Sequence, residues 1–293
     1  MSTPLTVDVC ICTYQRPQLV FTLRSLAELE LPFGCQLRVV VADNDQEPSA
    51  QVTARTMADE LGLTLEYIHA PAHNISIARN ACLDAASATY VAFVDDDEIV
   101  SSKWLIAMLE TFDSAQADIV LGPVQALYPA GCADWLRVGD FHSTRPVYVG
   151  GKIITGYAGN VMMKRECPAL QGIRFQEDLG ITGGEDTDFF GRAYKAGATI
   201  DYAEAALVLE GMSESRATLN WLVRRRWRFG QTHALLLRET GGGGKITAAK
   251  AFAKALACFG MMLLTVLYPI RRRYWLLRGT LHLAVAQTLR KHK

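Results

Sequence analysis

Apolar and polar positions along this chain alternate in blocks. Residues 7–12 form a β-branched and apolar run, and beyond Pro17 the leucines Leu19, Leu23, Leu26 and Leu29 recur at helical spacing. Residues 37–42 read as a second strand, 49–62 as a helix, 65–69 as a strand, 76–86 as a helix and 90–94 as a fourth strand. Four strands alternating with three helices predict an α/β fold, with a mainly parallel sheet, helices on both faces and right-handed crossovers.

The pattern then loosens. Residues 104–112 predict a helix and 119–124 a strand, but the Gly-rich stretch 129–159 has no clean period, which marks a functional or mobile segment. Residues 160–164 resume as a strand, 186–196 as a helix that Gly197 is placed to end, and 199–209 as one or two short strands. From Leu219 the character changes to a basic and aromatic helix containing Trp221, Arg224, Arg225, Arg226, Trp227 and Arg228. Glycines 241–244 read as a hinge, and 246–270 and 274–289 are apolar with basic flanks. This division predicts a domain at 1–240 and a basic, apolar helical region for membrane association at 241–293.

Half of the 293 residues are apolar, enough for a large core. The formal net charge of zero conceals a split: residues 1–210 hold 14 Lys+Arg and 28 Asp+Glu, net −14, and residues 211–293 hold 16 and 2, net +14. An acidic part suits a metal, and a basic, apolar part suits an anionic membrane surface. Its apolar bulk argues against nucleic acid as the partner. Seven scattered cysteines include no CxxC pair and read as core fillers in a reducing compartment. The first residues run directly into a strand pattern without the basic head and apolar middle of a signal peptide, which predicts a protein facing the cytoplasm.

The candidate chemistry gathers where strands end. The run 90–94 stops at Asp95, Asp96 and Asp97, followed by Glu98, so clustered acids stand at the carboxyl end of a buried strand, where open α/β sheets place ligands. Such acids call for a cation, and Mg²⁺ or Mn²⁺ with a bound polyphosphate answers that demand; on its own the string also fits a solvated acidic turn. Thr13, Tyr14 and Arg16 follow the first strand, Asp43 and Asn44 the second, and Asn74, Arg79 and Asn80 surround the start of the third helix. Each is a common turn composition, but together they describe one sheet edge. There Asp43 suits a ribose hydroxyl or base edge, Arg79 a phosphate, and the triple Asp ribose and metal. The absence of GxGxxG and P-loop patterns disfavours ordinary dinucleotide or P-loop binding. A second acidic cluster, Gly-Gly-Glu-Asp-Thr-Asp at 183–188, opens a helix, where Glu185 and Asp188 also suit capping.

Over residues 7–233 the strings VDVCICTYQRP, VVVADND, HNISIARNACLDAA, YVAFVDDDE, NVMMKRE, GGEDTDFFGRAYKAG and RRRWRFG occur in that order. As a set they resemble the family 2 glycosyltransferases, inverting enzymes of GT-A fold, and within them the bacterial exopolysaccharide branch with its succinoglycan-type glucosyltransferases. The resemblance implies a GT-A domain and transfer of a hexose from a UDP-sugar, with Mn²⁺ or Mg²⁺, to a polyprenyl-diphosphate-linked saccharide. It implies that Thr13, Tyr14, Asp43 and Arg79 contact the nucleotide, Asp95 the ribose and Asp97 the metal, and that Asp186 is the general base. Arg16, Asn74 and Asp96 join the donor side by their place at the same edge, and Glu185 the acceptor side. Many relatives carry a His where Glu210 stands, which makes Glu210 a candidate second metal ligand, a hydrogen bond within the core being the alternative.

Processive relatives carry Gln-x-x-Arg-Trp, whereas this chain reads Val223-Arg224-Arg225-Arg226-Trp227, without the Gln. That departure predicts one sugar per encounter, with Arg226 or Arg228 near phosphate and Trp227 near the acceptor; a basic helix face on a membrane or on the acidic domain is the alternative. Residues 255–270 carry no charge, yet sixteen residues fall short of the roughly 20 that cross a bilayer as a helix. Flanked by Lys250, Lys254 and Arg271 to Arg273, they predict a peripheral helix in or dipping into the cytoplasmic leaflet of the inner membrane, or else packed on the core. Self-association into a homo-oligomer stays open. The rival readings are a non-enzymatic nucleotide- or sugar-binding membrane adaptor and a nucleotidyltransferase that makes the sugar nucleotide.

Overall fold

The computed structural model describes residues 5–239 and 242–291. The chain divides into two compact units, one of Met1–Gln125 and Thr144–Glu210, the other of Ala126–Ser143 and Gly211–Lys293. In chain order the elements are β1 (Thr6–Thr13), α1 (Leu19–Ala27), β2 (Gln36–Asp43), α2 (Gln51–Leu61), β3 (Thr64–His69), α3 (Ile75–Ala85), β4 (Tyr90–Val94) and β5 (Glu98–Val100). There follow α4 (Trp104–Ala115), β6 (Ile119–Leu121), β7 (Val124–Leu127), α5 (Asp134–Gly139), β8 (Tyr148–Val149), β9 (Lys152–Ile153), β10 (Asn160–Lys164), α6 (Leu179–Thr182) and α7 (Glu185–Lys195). The last are β11 (Ile200–Tyr202), β12 (Val208–Gly211), α8 (Leu219–Glu239), α9 (Lys245–Leu264) and α10 (Pro269–Lys291).

The first unit is an α/β layer structure around a seven-stranded sheet of order β11-β6-β10-β4-β1-β2-β3. β1, β2, β3 and β4 run parallel, and β10 enters antiparallel between β4 and β6. Central strands covered on both faces must be apolar at successive positions, which explains the near-continuous runs of β1 and β4. Val7, Val9 and Ile11 join the core that contains Leu19, Leu23 and Trp104, while Cys10 joins Val40, Cys82, Phe93 and Phe189 in another core. The period-two alternation of strand side chains sorts them in this way.

Asn160, which opens β10, locks this arrangement. Fully buried, it accepts a hydrogen bond from Trp104 Nε1 (2.8 Å) and donates to the carbonyls of Pro123 (2.9 Å) and Ala206 (2.8 Å). Asn160→Ala would orphan one donor and two acceptors, and a loss of about 3 kcal/mol is expected in urea unfolding. A loss under about 0.5 kcal/mol would show that the three groups find other partners.

Three expectations change on folding. The strand expected at 119–124 is two strands, because Gly122 and Pro123 interrupt it and Pro has no N–H to pair. The stretch 129–159 contains α5 and a small β8–β9 hairpin, whose Gly150 and Gly151 both have positive φ (58° and 78°), the backbone a tight two-residue turn requires. The apolar segment 246–270 is not one element: α9 ends at Leu264 and α10 starts at Pro269, since Pro can begin a helix but not continue one. The triplet Arg271 to Arg273 therefore lies in the first turns of α10.

The second unit packs α10 along both α8 and α9. A Cβ on Gly230 would stand 2.4 Å from the Leu281 carbonyl, so glycine permits the close approach of α8 to α10. Leu136, Phe141, Leu222 and Leu277 form a core at one place and Ala234, Ala248, Ala251 and Val285 at another. The division at Glu210–Gly211 groups α8 with α9 and α10, ahead of the 240/241 boundary expected from composition; Gly241 of the expected hinge lies outside the described residues.

Candidate active site

The site is built at the carboxyl edge of the parallel strands. Register pairs Thr13 with Asp43, so β1 and β2 end level, and β4 ends at Val94 to release Asp95, Asp96 and Asp97 beside them. Arg16, just past β1, donates to Asp97 Oδ2 at 3.0 Å. Tyr14 packs its ring against His73, centroids 4.5 Å apart, and His73 holds a positive φ of 48° while its amide bonds the Asn44 carbonyl.

Two of the expected donor residues are occupied within the loop framework. Asp43 is fully buried and accepts from the amides of Asp45 (3.0 Å) and Ala50 (2.8 Å) and from the Tyr67 hydroxyl (2.6 Å). Its carboxylate therefore holds the β2–α2 connection in shape. Asn74 caps α3 by accepting from the Ser76 amide, and its Nδ2 donates to the Glu177 carbonyl. Gly180 faces it so closely that a Cβ there would meet Asn74 Oδ1 at 1.8 Å.

Arg79 joins the two acidic clusters. Buried on α3, it donates to Glu185 Oε1 at 2.5 Å and stands 3.8 Å from Asp95, with its guanidinium over the Phe175 ring at 5.4 Å. Burial opposes its charge, but Glu185, Asp95 and Asp186 outweigh that and raise its pKa. Glu185, expected on the acceptor side, thus spends its carboxylate on Arg79 as a buried ion pair. Asp188 pairs instead with Arg192 one turn on.

Asp186 stands beside this pair in the first turn of α7, after Gly183 and Gly184, whose φ values of 87° and 101° bend the chain into the helix. Its Oδ1 accepts from the Thr187 amide at 2.6 Å. Burial first, then the Glu185 charge, pushes its pKa up to about 6 against the pull of Arg79. Asp96 is raised to about 7 by burial and by the Asp97 and Asp95 charges. The edge therefore carries more negative charge than its own arginines neutralise.

Sequence reasoning left Glu98 and Gly159 without roles. Glu98 is buried, accepts from the Asp95 amide at 2.8 Å, and lies opposite Glu210 in the β5–β12 pair. Burial, with Asp95 and Glu210 nearby, raises its pKa well above the carboxylate range. A Cβ on Gly159 would stand 2.8 Å from Glu98 Oε1 and 3.2 Å from Asp95 Oδ2, so glycine there leaves room for both acids. Glu98 carried a signal as the fourth acid of its run; Gly159 carried none.

Among the described residues no three His, Cys, Asp or Glu side chains form a ready metal cage. A hard divalent ion bound with a diphosphate needs only one or two carboxylates, however, and the acid-rich edge with Asp97 at its rim fits that requirement. Arg226, Trp227 and Arg228 lie on α8, in the second unit. Trp227 and Arg228, with Trp221, Val223 and Arg224, line a pocket of about 500 Å³. Arg225 is held between the Trp221 and Phe229 rings, 5.2 Å from each.

A sequence model of the family described as Glycosyl transferase family 2 matches residues 8–167. The chain is 45% identical to succinoglycan biosynthesis protein ExoM of Rhizobium meliloti, over 97% of this chain and 93% of that protein. Its fold is similar to mannosyltransferase PcManGT from Pyrobaculum calidifontis in complex with GDP-Man and Mn²⁺, with a TM-score of 0.66, 17% identity, and coverage of 100% of this chain and 89% of that one. It is also similar to S. aureus TarS 1-349 in complex with UDP-GlcNAc, with a TM-score of 0.58, 18% identity, and coverage of 92% and 90%.

Proposed function

The chain belongs to glycosyl transferase family 2, and from that premise we propose that it is an inverting hexosyltransferase of exopolysaccharide assembly. It moves one sugar from a UDP-sugar to a saccharide carried on a polyprenyl diphosphate, as a step in building a succinoglycan-type polymer at the cytoplasmic face of the membrane. The observation that carries this reading is the Arg79 bridge, which brings the acids after β4 and those opening α7 to one site. The nucleotide sugars bound by PcManGT and TarS support a donor of that class.

Thr13, Tyr14, Arg16, Asp43 and Asn74 form the nucleotide side, directly or by holding the loops, and Asp95 and Asp96 the ribose side. Asp97, with Glu210 as the further candidate, would hold Mn²⁺ or Mg²⁺, which would supply positive charge to offset that of the leaving diphosphate. Asp186 accepts the proton of the acceptor hydroxyl as that oxygen forms a bond to the anomeric carbon and the bond from that carbon to the UDP oxygen breaks. A single displacement inverts the anomeric configuration. On α8, Trp227 offers a stacking face for an acceptor sugar, and Arg226 and Arg228 offer charge for its phosphate.

Calorimetric titration with UDP tests the donor site. Wild type is expected to bind at least tenfold more tightly with Mn²⁺ than without it, and Asp97→Asn to lose that gain. Equal UDP affinity in both proteins, with and without the ion, would refute the assignment of Asp97.

A further inference from the structure

We infer that the last turn of α9 together with its connection to α10, residues 261–268, is the part of this protein that enters lipid, dipping tip-first into one leaflet of an anionic membrane. The inference rests on the membrane reading above and specifies its contact. α9 is long and apolar enough to be a candidate span, but its packing argues otherwise. It buries a stripe of Ala248, Ala251, Ala255 and Cys258, and the packed partner α10 would drag Arg278 and Arg290 into the hydrocarbon along with Lys250 and Lys254.

The turn itself has the character that lipid selects. Leu263 (69%), Leu264 (79%) and Leu267 (85%) are largely exposed, with Met261, Val266 and Tyr268 beside them. A contiguous apolar patch of this kind is unusual on a surface that meets only water. Several of its polar groups are paired internally: the Thr265 hydroxyl donates to the Met261 carbonyl (2.7 Å), the Thr265 amide to the same carbonyl (3.0 Å), and the Tyr268 amide to the Thr265 carbonyl (2.9 Å). Pro269 has no amide hydrogen to satisfy. Each group paired in this way lowers the cost of bringing backbone to the edge of the hydrocarbon.

Charge selects the partner. Residues 242–291 contain no Asp or Glu, and Arg271, Arg272 and Arg273 follow in the first turns of α10. Arg271 lies over the Tyr268 ring at 5.7 Å, an aromatic and cationic pairing suited to the headgroup level. A second copy docked on the same patch would face these arginines with its own, without an acid nearby to offset them. With cations so close to the tip, the insertion is shallow, about 5–10 Å, the depth of an interfacial element.

The full-length protein is pelleted with vesicles of phosphatidylcholine alone or mixed with phosphatidylglycerol, and hydrogen exchange is followed in parallel. The expected result is binding that requires the anionic lipid, slowed exchange confined to about residues 261–272, and at least tenfold weaker partitioning for both Leu264→Asp/Leu267→Asp and Arg271→Ala/Arg272→Ala. UDP titration of the same variants, unchanged from wild type, shows that they are folded and keeps this inference separate from the donor site. Wild-type partitioning by the leucine variant would overturn the proposal. So would protection extending evenly along α9, which indicates a span, or self-association that the variants abolish in the absence of vesicle binding, which indicates a second copy.

Discussion

Asp186→Asn is expected to lower the rate of sugar transfer by about 10²–10⁴-fold, the usual contribution of a positioned general base, while UDP binding and the unfolding midpoint stay near wild type. The substitution keeps the shape of the side chain and an oxygen for the Thr187 amide, which fixes the carboxylate now. It removes only the capacity to take a proton. Because the Asp186 pKa is raised to about 6, the base is protonated below that pH and free above it. The rate should therefore rise about tenfold per pH unit below about 6 and level off above. The variant should lack that limb. UDP release measured with acceptor across this range tests both statements; a folded Asp186→Asn protein transferring within tenfold of wild type would remove Asp186 from the chemistry.

Arg79→Met should be the most destabilising of the substitutions at this edge, by about 3–5 kcal/mol, the cost of removing one partner of a buried ion pair. Glu185 is left buried with its charge, and Asp95 loses the guanidinium 3.8 Å away. Adding Glu185→Leu removes the orphaned charge, so the double variant should recover much of the loss, because a buried pair replaced by apolar groups is often close to neutral. Arg79→Lys keeps the charge but not the fork that reaches both carboxylates, and should fall between. Urea unfolding of the four proteins gives the coupling directly. A loss under about 1 kcal/mol for Arg79→Met would show that the site does not depend on this bridge for its integrity.

These two residues also mark where reading by spacing succeeds and stops. Strands buried on both faces must be apolar throughout, so β1, β2 and β4 were visible as runs, and the acids after them were visible as breaks in those runs. The strand β10 was visible as a segment, but its antiparallel place between β4 and β6 was not, since nothing local orders strands within a sheet. Asp97 was visible as an acid just after the β4 run, and its pairing with Arg16 follows from β1 and β4 being neighbours.

The amino-acid sequence by itself determined the layered α/β class, the gathering of acids at strand ends, a second acidic cluster opening α7, and the separation of an acidic part from a basic, apolar one. Local spacing and composition suffice for these. Only the tertiary structure decided that Arg79 meets Glu185 from 106 positions away, that Asp43 spends its oxygens on Ala50 and Tyr67, that Gly159 makes room for Glu98, and that the apolar tail turns at Pro269 to present its leucines at a tip. Hydrogen bonds and ion pairs act over a few ångströms, and which groups come within that range is set by how the whole chain packs, not by their separation along it.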